Sequence, residues 1–155
     1  MPEASPPTVI KFYSTTGEYG GFSNFSRHAI FLKGKKWPTS EHFFQAQKFA
    51  GTEHEEAVRL CKTPSAAASM GRSRKLPLRR DWESVKEQVM LDALRAKFTQ
   101  HEDLKAALLG TADATLVEHT TNDSYWGDGG DGSGRNRLGH LLMRLREELR
   151  ADGTS

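Results

Sequence analysis

The sequence predicts an α+β fold, mainly helical, in which a small β-sheet is packed by several helices. Three observations carry that prediction. β-branched and aromatic runs sit mostly ahead of residue 40, periodic apolar stripes follow it, and the two kinds of segment do not alternate as a doubly wound sheet requires. With 155 residues, 36% of them hydrophobic and 27% charged, the chain can bury roughly two thirds of its unfolded surface in a single domain without disulfide or metal staples. That domain is expected over residues 8–150. Residues 1–7, with Pro2, Pro6 and Pro7 and no bulky apolar side chain, read as a disordered lead-in, and residues 151–155 as a flexible tail.

The elements follow in order. Val9 to Tyr13 reads as a strand, and Ala29 to Trp37 as a hairpin turning at Gly34. After Pro38, either Thr39 or Ser40 can cap a helix over Glu41 to Ala50, with Phe43, Phe44 and Phe49 as its buried aromatics. A short helix runs from Glu53 to Cys61, and another begins at Pro64 and is ended by Gly71. Ser84 and Glu87 have capping-box spacing ahead of the longest helix, whose stripe is Val85, Val89, Ala93 and Ala96 beside Met90 and Leu94. A helix over Glu102 to Leu109 and a short strand at Thr115 to Val117 come next. Leu138, Leu141, Leu142, Leu145 and Leu149 then mark a final amphipathic helix.

Composition excludes several functions. A formal charge of +2 is far from that of a polyanion-wrapping protein, so any contact with nucleic acid has to be local. No run of eighteen apolar residues can span a membrane, and the N-terminus lacks the basic start and apolar middle of a signal peptide, so a cytoplasmic or nuclear location is expected. Cys61, the single cysteine, cannot form an internal bridge and reads as a half-buried thiol rather than a nucleophile. The six histidines, at 28, 42, 54, 101, 119 and 140, lack zinc-ligand spacing and read as exposed or singly hydrogen-bonded. Neither a metal nor a cofactor is expected.

Four segments can carry chemistry. Gly127 to Gly132 matches G-x-G-x-x-G, but no strand leads into it and two aspartates would face the phosphates. It is either a surface loop or a backbone lead into a helix start near Asn136 that offers N–H groups to a phosphate or ribose. Arg72, Arg74, Lys75, Arg79 and Arg80 put five cations ahead of Trp82, as a solvated connector or as contacts for a phosphate-bearing base. Glu41, Gln45 and Lys48, four and three positions apart, share one helical face. That face is a surface ion-pair row or the wall of a polar cleft, and the aromatics Trp37, Phe44 and Phe49 favour the cleft. Asp123, beside Trp126, offers a second carboxylate, and a pair of carboxylates around a sugar is what glycosidic cleavage requires.

The motifs Phe12-Tyr13, Phe22-Ser-Asn-Phe25, Trp37-Pro-Thr-Ser-Glu-His-Phe-Phe-Gln-Ala-Gln-Lys-Phe49, Gly71-Arg72, Asp81-Trp82, Ala96-Lys-Phe98, Trp126-Gly127 and Gly134-x-Asn136-x-Leu-Gly139 together resemble the NADAR (YbiA-like) family. The resemblance runs in order from about Val9 to Leu149. It implies an N-glycosidase that cleaves a ribose C1′–nitrogen bond, acting on ADP-ribose attached to guanine in DNA or on ribosylamino-pyrimidine phosphates of riboflavin synthesis. By motif, Glu41, Lys48 and Asp123 become the catalytic residues and Trp82 the base-stacking ring. The same motifs make Tyr13, Asn24, Phe44, Gln45, Arg72, Trp126, Gly127 and Asn136 the remaining substrate-binding candidates, although Asn24 and Asn136 would equally serve as turn caps.

In the family's removal of ADP-ribose, the lysine matched by Lys48 attacks the opened sugar and forms an imine. That role needs a depressed pKa from burial or a nearby cation, whereas a neighbouring Glu41 pushes the other way. Two mechanisms follow: Lys48 as nucleophile with Glu41 moving protons, which is preferred for an ADP-ribosyl substrate, or Lys48 as a fixed cation with both carboxylates serving an oxocarbenium-like transition state. Expected partners are therefore an ADP-ribosylated nucleic acid or a ribosyl-phosphate small molecule, with no membrane and a monomeric state. A module that binds ADP-ribose without cleaving it is the third reading.

Overall fold

Three threonines start three successive helices. Thr39, Thr52 and Thr63 each turn an extended backbone into a helix, their hydroxyl oxygens accepting the N–H groups of His42 at 3.1 Å, His54 at 3.2 Å and Ala66 at 3.0 Å. The helices are α1 (Ser40–Gln47), α2 (Glu53–Arg59) and α3 (Pro64–Gly71), the last with its proline in the first turn as expected. They belong to one of two compact units in the computed structural model, which describes residues 8–153. This unit spans residues 24–101, and the other combines the segment up to Ser23 with the chain from Glu102 onward. The expected lead-in, residues 1–7, lies outside the described residues, as do 154–155 of the expected tail.

In the 24–101 unit, β2 (Ile30–Leu32) and β3 (Lys35–Trp37) form the predicted antiparallel hairpin. Lys33 and Gly34 take positive φ angles of 54° and 73°, the left-handed pair that a two-residue hairpin turn demands. Gln100 covers the outer edge of β2: its Oε1 accepts from the Phe31 N–H at 2.8 Å and its Nε2 donates to the Phe31 carbonyl at 2.9 Å. The long helix α4 (Trp82–Gln100) packs against α1 and β2. Ile30, Trp37, Phe43, Ala46, Phe49, Val58, Ala67, Ala93 and Ala96 form its core, with Trp37 edge-on to Phe43 at 5.1 Å.

The expected capping box at Ser84 does not form. Asp81 occupies the cap position of α4, and the Ser84 hydroxyl donates back to the Asp81 carbonyl at 2.8 Å. The Asp81 carboxylate is held by the Arg79 guanidinium at 2.6 and 3.0 Å instead. His42 also departs from expectation, since it is fully buried and bonded at both ring nitrogens. Its Nε2–H donates to the Cys61 carbonyl at 2.9 Å, and Nδ1 accepts from the Thr39 hydroxyl at 2.8 Å. Burial lowers its pKa and favours this neutral ring.

In the other unit, β1 (Val9–Phe12) lies parallel to β4 (Thr115–Glu118), with Val9 opposite Thr115. The small sheet is thus two separate strand pairs, because strand order in the chain does not reveal a partner so far away in sequence. Helices α5 (Glu102–Gly110) and α6 (Arg137–Gly153) complete it, and the five leucines of the predicted α6 stripe are all buried. α6 continues through Gly153, beyond the expected boundary at residue 150.

Asn136 locks α6 onto β4. It sits at φ 50°, where asparagine is tolerated, its Oδ1 accepts from the Glu118 N–H at 2.9 Å, and its Nδ2 donates to the Leu116 carbonyl at 2.9 Å. Replacing Asn136 with alanine leaves both backbone groups unmet, so urea unfolding should show a loss of about 2 to 4 kcal/mol. A loss below about 0.5 kcal/mol would contradict this role.

Candidate active site

Every residue of α1 is buried, which settles whether its polar face is a surface ion-pair row. Glu41, with 8% of its surface exposed, sits in the first turn, and its N–H donates to the Asn24 carbonyl at 3.2 Å. One turn on, the Gln45 amide nitrogen donates to Glu41 Oε2 at 2.7 Å. This bond fixes the carboxylate and leaves Gln45 Oε1 buried without a hydrogen-bond partner.

The helix stops one residue earlier than the predicted face required, so Lys48 is its C-cap. The N–H groups of Lys48, Phe49 and Ala50 bond three residues back, at 3.2, 2.9 and 3.3 Å, tightening the last turn. Arg79 holds this end, its N–H donating to the Lys48 carbonyl at 2.9 Å and its Nη1 to that of Gln47 at 3.4 Å. One of the five cations of the basic run is therefore a structural cap, whereas Arg72, Arg74, Lys75 and Arg80 are exposed.

Lys48 Nζ donates to the Gly71 carbonyl at 3.2 Å and lies 6.0 Å from the Phe44 ring centre and 5.9 Å from that of Trp82. Burial is the main influence on this amine and lowers its pKa. Glu41 and Glu83 oppose the shift, while Arg72 and Lys86 add to it. Of the two influences weighed from the sequence, burial outweighs Glu41 and the shift is downward.

Trp82 is 5% exposed and stands edge-on to Phe44 at 5.1 Å. Asn24 serves the scaffold: its Oδ1 accepts from the Ser40 hydroxyl at 2.8 Å and its Nδ2 contacts the Met90 sulfur at 3.4 Å. The 24–101 unit therefore gathers Asn24, Glu41, Phe44, Gln45, Lys48, Arg72 and Trp82.

Tyr13, Asp123, Trp126, Gly127 and Asn136 belong to the other unit. Asp123 Oδ1 accepts the N–H groups of Tyr125 at 2.9 Å and Trp126 at 2.8 Å. The Trp126 ring is edge-on to Tyr125 at 4.9 Å, and the exposed Tyr13 hydroxyl accepts from Asn122 at 3.3 Å. Gly127 has no room for a side chain, since a Cβ would lie 2.7 Å from Thr120.

The phosphate cradle expected at the start of α6 is not free. The N–H groups of Arg135, Asn136, Arg137 and Leu138 donate to the carbonyls of Ser124, Gly127, Tyr125 and Trp126 at 2.8 to 3.0 Å, so the preceding loop caps this helix. Among the described residues no cluster of His, Cys, Asp or Glu could hold a metal ion, and no helix is long and apolar enough to cross a membrane.

Gly71, which the sequence marks as a helix end and as part of a family motif, packs against the Gln45 amide. A Cβ there would stand 2.0 Å from Gln45 Oε1 and 2.7 Å from its Cδ. Gly71→Ala should displace the amide that positions Glu41 and lower turnover about tenfold or more. Adding Gln45→Ala should restore the melting temperature without restoring turnover. Wild-type turnover in Gly71→Ala would show that the Gln45–Glu41 contact is not needed.

The NADAR domain family model matches residues 11–150, across both units. The chain is 63% identical to N-glycosidase YbiA of Escherichia coli strain K12 over 142 residues, covering 92% of this chain and 89% of that protein. It is 45% identical to N-glycosidase Npun_R5314 of Nostoc punctiforme, covering 92% and 93% of the two chains. It is also 41% identical to riboflavin biosynthesis protein VVA0006 of Vibrio vulnificus, but spans only 38% of that longer protein. The NMR structure of E. coli YbiA superposes with a TM-score of 0.91 at 58% identity, covering 98% of this chain and 90% of that one. The chain belongs to the NADAR domain family.

Proposed function

We propose that this N-glycosidase removes ADP-ribose from guanine bases in DNA, with Lys48 as the nucleophile and Glu41 as the proton carrier. Its reaction class, hydrolysis of an N-glycosyl compound, is that of its N-glycosidase relatives. The observation that carries the substrate reading is the half-buried Lys48 amine with its lowered pKa, seven residues from a carboxylate that Gln45 holds in place. A fixed cation gains nothing from a lowered pKa, whereas an amine that must add to carbon does. The exposed Arg72, Arg74, Lys75 and Arg80 supply a local basic surface for phosphates despite the near-neutral total charge.

The reaction balances as follows. Glu41 protonates the ribose ring oxygen, the C1′–O bond breaks, and the base nitrogen forms a double bond to C1′. Lys48 Nζ adds to C1′ and a proton passes to the base nitrogen. The C1′–base bond then breaks, releasing guanine and leaving an imine on Lys48. Water hydrolyses the imine to ADP-ribose and the free amine. Asp123 takes no step in this sequence; its carboxylate belongs to the alternative in which Lys48 stays a fixed cation and the transition state is oxocarbenium-like.

A second substrate, the ribosylamino-pyrimidine phosphates, is favoured by the riboflavin-biosynthesis names of two relatives sharing 41% and 42% identity with this chain. The purified protein should be offered an ADP-ribosylated guanine oligonucleotide and a ribosylamino-pyrimidine phosphate side by side. Release of ADP-ribose from the oligonucleotide supports the proposal; exclusive turnover of the pyrimidine replaces the substrate; turnover of neither removes the enzymatic reading. Glu41→Gln and Lys48→Ala should each reduce turnover by about a hundredfold or more. Borohydride during turnover should trap an adduct on Lys48, since only an imine is reducible, and turnover without trapping would favour Lys48 as a fixed cation.

A further inference from the structure

A cleft of about 410 Å³ opens in the β1–β4 unit; none of Glu41, Lys48 or Asp123 lines it, and Asn136, which does, has its amide engaged by the Glu118 N–H and the Leu116 carbonyl. Its floor is the strand face that carries Lys11 and Val117, which lie opposite one another in the register. That face is the reverse of the one on which Phe12 and Leu116 are buried. His119 continues it, and Asp131, Arg135 and His140 stand around the rim.

The arrangement at His119 is the one that orients an imidazole for work. Asp128, 5% exposed, receives His119 Nδ1 at 2.7 Å, and its other oxygen accepts the N–H groups of Thr120 at 3.0 Å and Gly130 at 2.8 Å. These bonds, that from His119 foremost, hold the Asp128 carboxyl down to about 2. Asp128 thereby fixes the tautomer and ring direction of His119, whose side chain is 45% exposed. His119 Nε2 has no partner among the described residues and is the nitrogen left to the cleft.

The charges select the ligand. A cation would need free carboxylate oxygens, but both oxygens of Asp128 are engaged and Asp131 Oδ1 accepts from the Ser133 N–H at 2.9 Å and hydroxyl at 2.6 Å. Lys11 and Arg135 are exposed cations, with Arg135 seated 5.6 Å from the Tyr125 ring centre. Asp128 is buried and spent on three N–H donors, so among the exposed charges that line the cleft Lys11 and Arg135 outweigh Asp131. We propose that this cleft is a second binding site, for the terminal phosphate of a phosphomonoester, with Lys11 and Arg135 neutralising the anion beside the His119 ring.

The test is an NMR titration of the full chain with inorganic phosphate, adenosine 5′-monophosphate and adenosine. Phosphate and the monophosphate should produce saturable shifts in the His119 ring and in the Gly130, Gly132 and Arg135 amides; adenosine should produce none. Lys11→Gln with Arg135→Gln, both exposed positions, should weaken binding about tenfold or more. His119→Gln should weaken it in the same direction, and Glu41→Gln should leave it unchanged. Shifts from phosphate without the monophosphate would restrict the site to the free anion and overturn the phosphomonoester assignment. Equal shifts from adenosine, undiminished affinity in the double variant, or no saturable shift at millimolar phosphate would overturn the site itself.

Discussion

Helix α1 has no solvent face, and the 24–101 unit is arranged around that constraint. Eight buried residues include Ser40, Glu41, His42, Gln45 and Gln47, each of which costs stability unless a partner is built for it. Ser40 donates to Asn24, His42 bridges Thr39 and Cys61, and Gln45 donates to Glu41. Gln47 accepts from Lys33 at 2.9 Å and donates to Glu55 at 2.9 Å. The bonds to Asn24, Cys61, Lys33 and Glu55 reach different parts of the unit, so the helix is oriented as well as buried. What escapes satisfaction is one atom, Gln45 Oε1, beside the glycine that makes room for it.

Lys48 follows from the same constraint. At the C-cap its amine is partly stripped of water, which lowers its pKa, while the Phe44 and Trp82 rings, 6.0 and 5.9 Å away, favour the charged form. Glu41 works against the shift, and burial outweighs the carboxylate.

Much of this was legible in the sequence because it is local. The hairpin at Gly34, the threonine and proline starts of the helices, the leucine stripe of α6 and the shared side of Glu41 and Gln45 all follow from short-range spacing. The parallel pairing of β1 with β4, the role of Arg79 as a cap and the fit of Gln45 against Gly71 depend on residues brought together only by folding. The capping box at Ser84 failed for a related reason: Arg79 fixes the Asp81 side chain, and a backbone carbonyl takes the Ser84 hydroxyl. At the start of α6, glycine-rich composition suggested a ligand cradle, but composition cannot show that carbonyls of residues 124–127 already fill it.

The claim on which the account turns is that burial makes Lys48 a more available amine than its neighbours in sequence suggest. Titrating ¹⁵N-labelled lysine side chains by NMR in the wild type and in Glu41→Gln measures this directly. Lys48 should lose its proton below the ordinary lysine value of 10.5, and at still lower pH once the Glu41 charge is removed. A Lys48 that titrates with the exposed lysines, or shifts upward in Glu41→Gln, would contradict it.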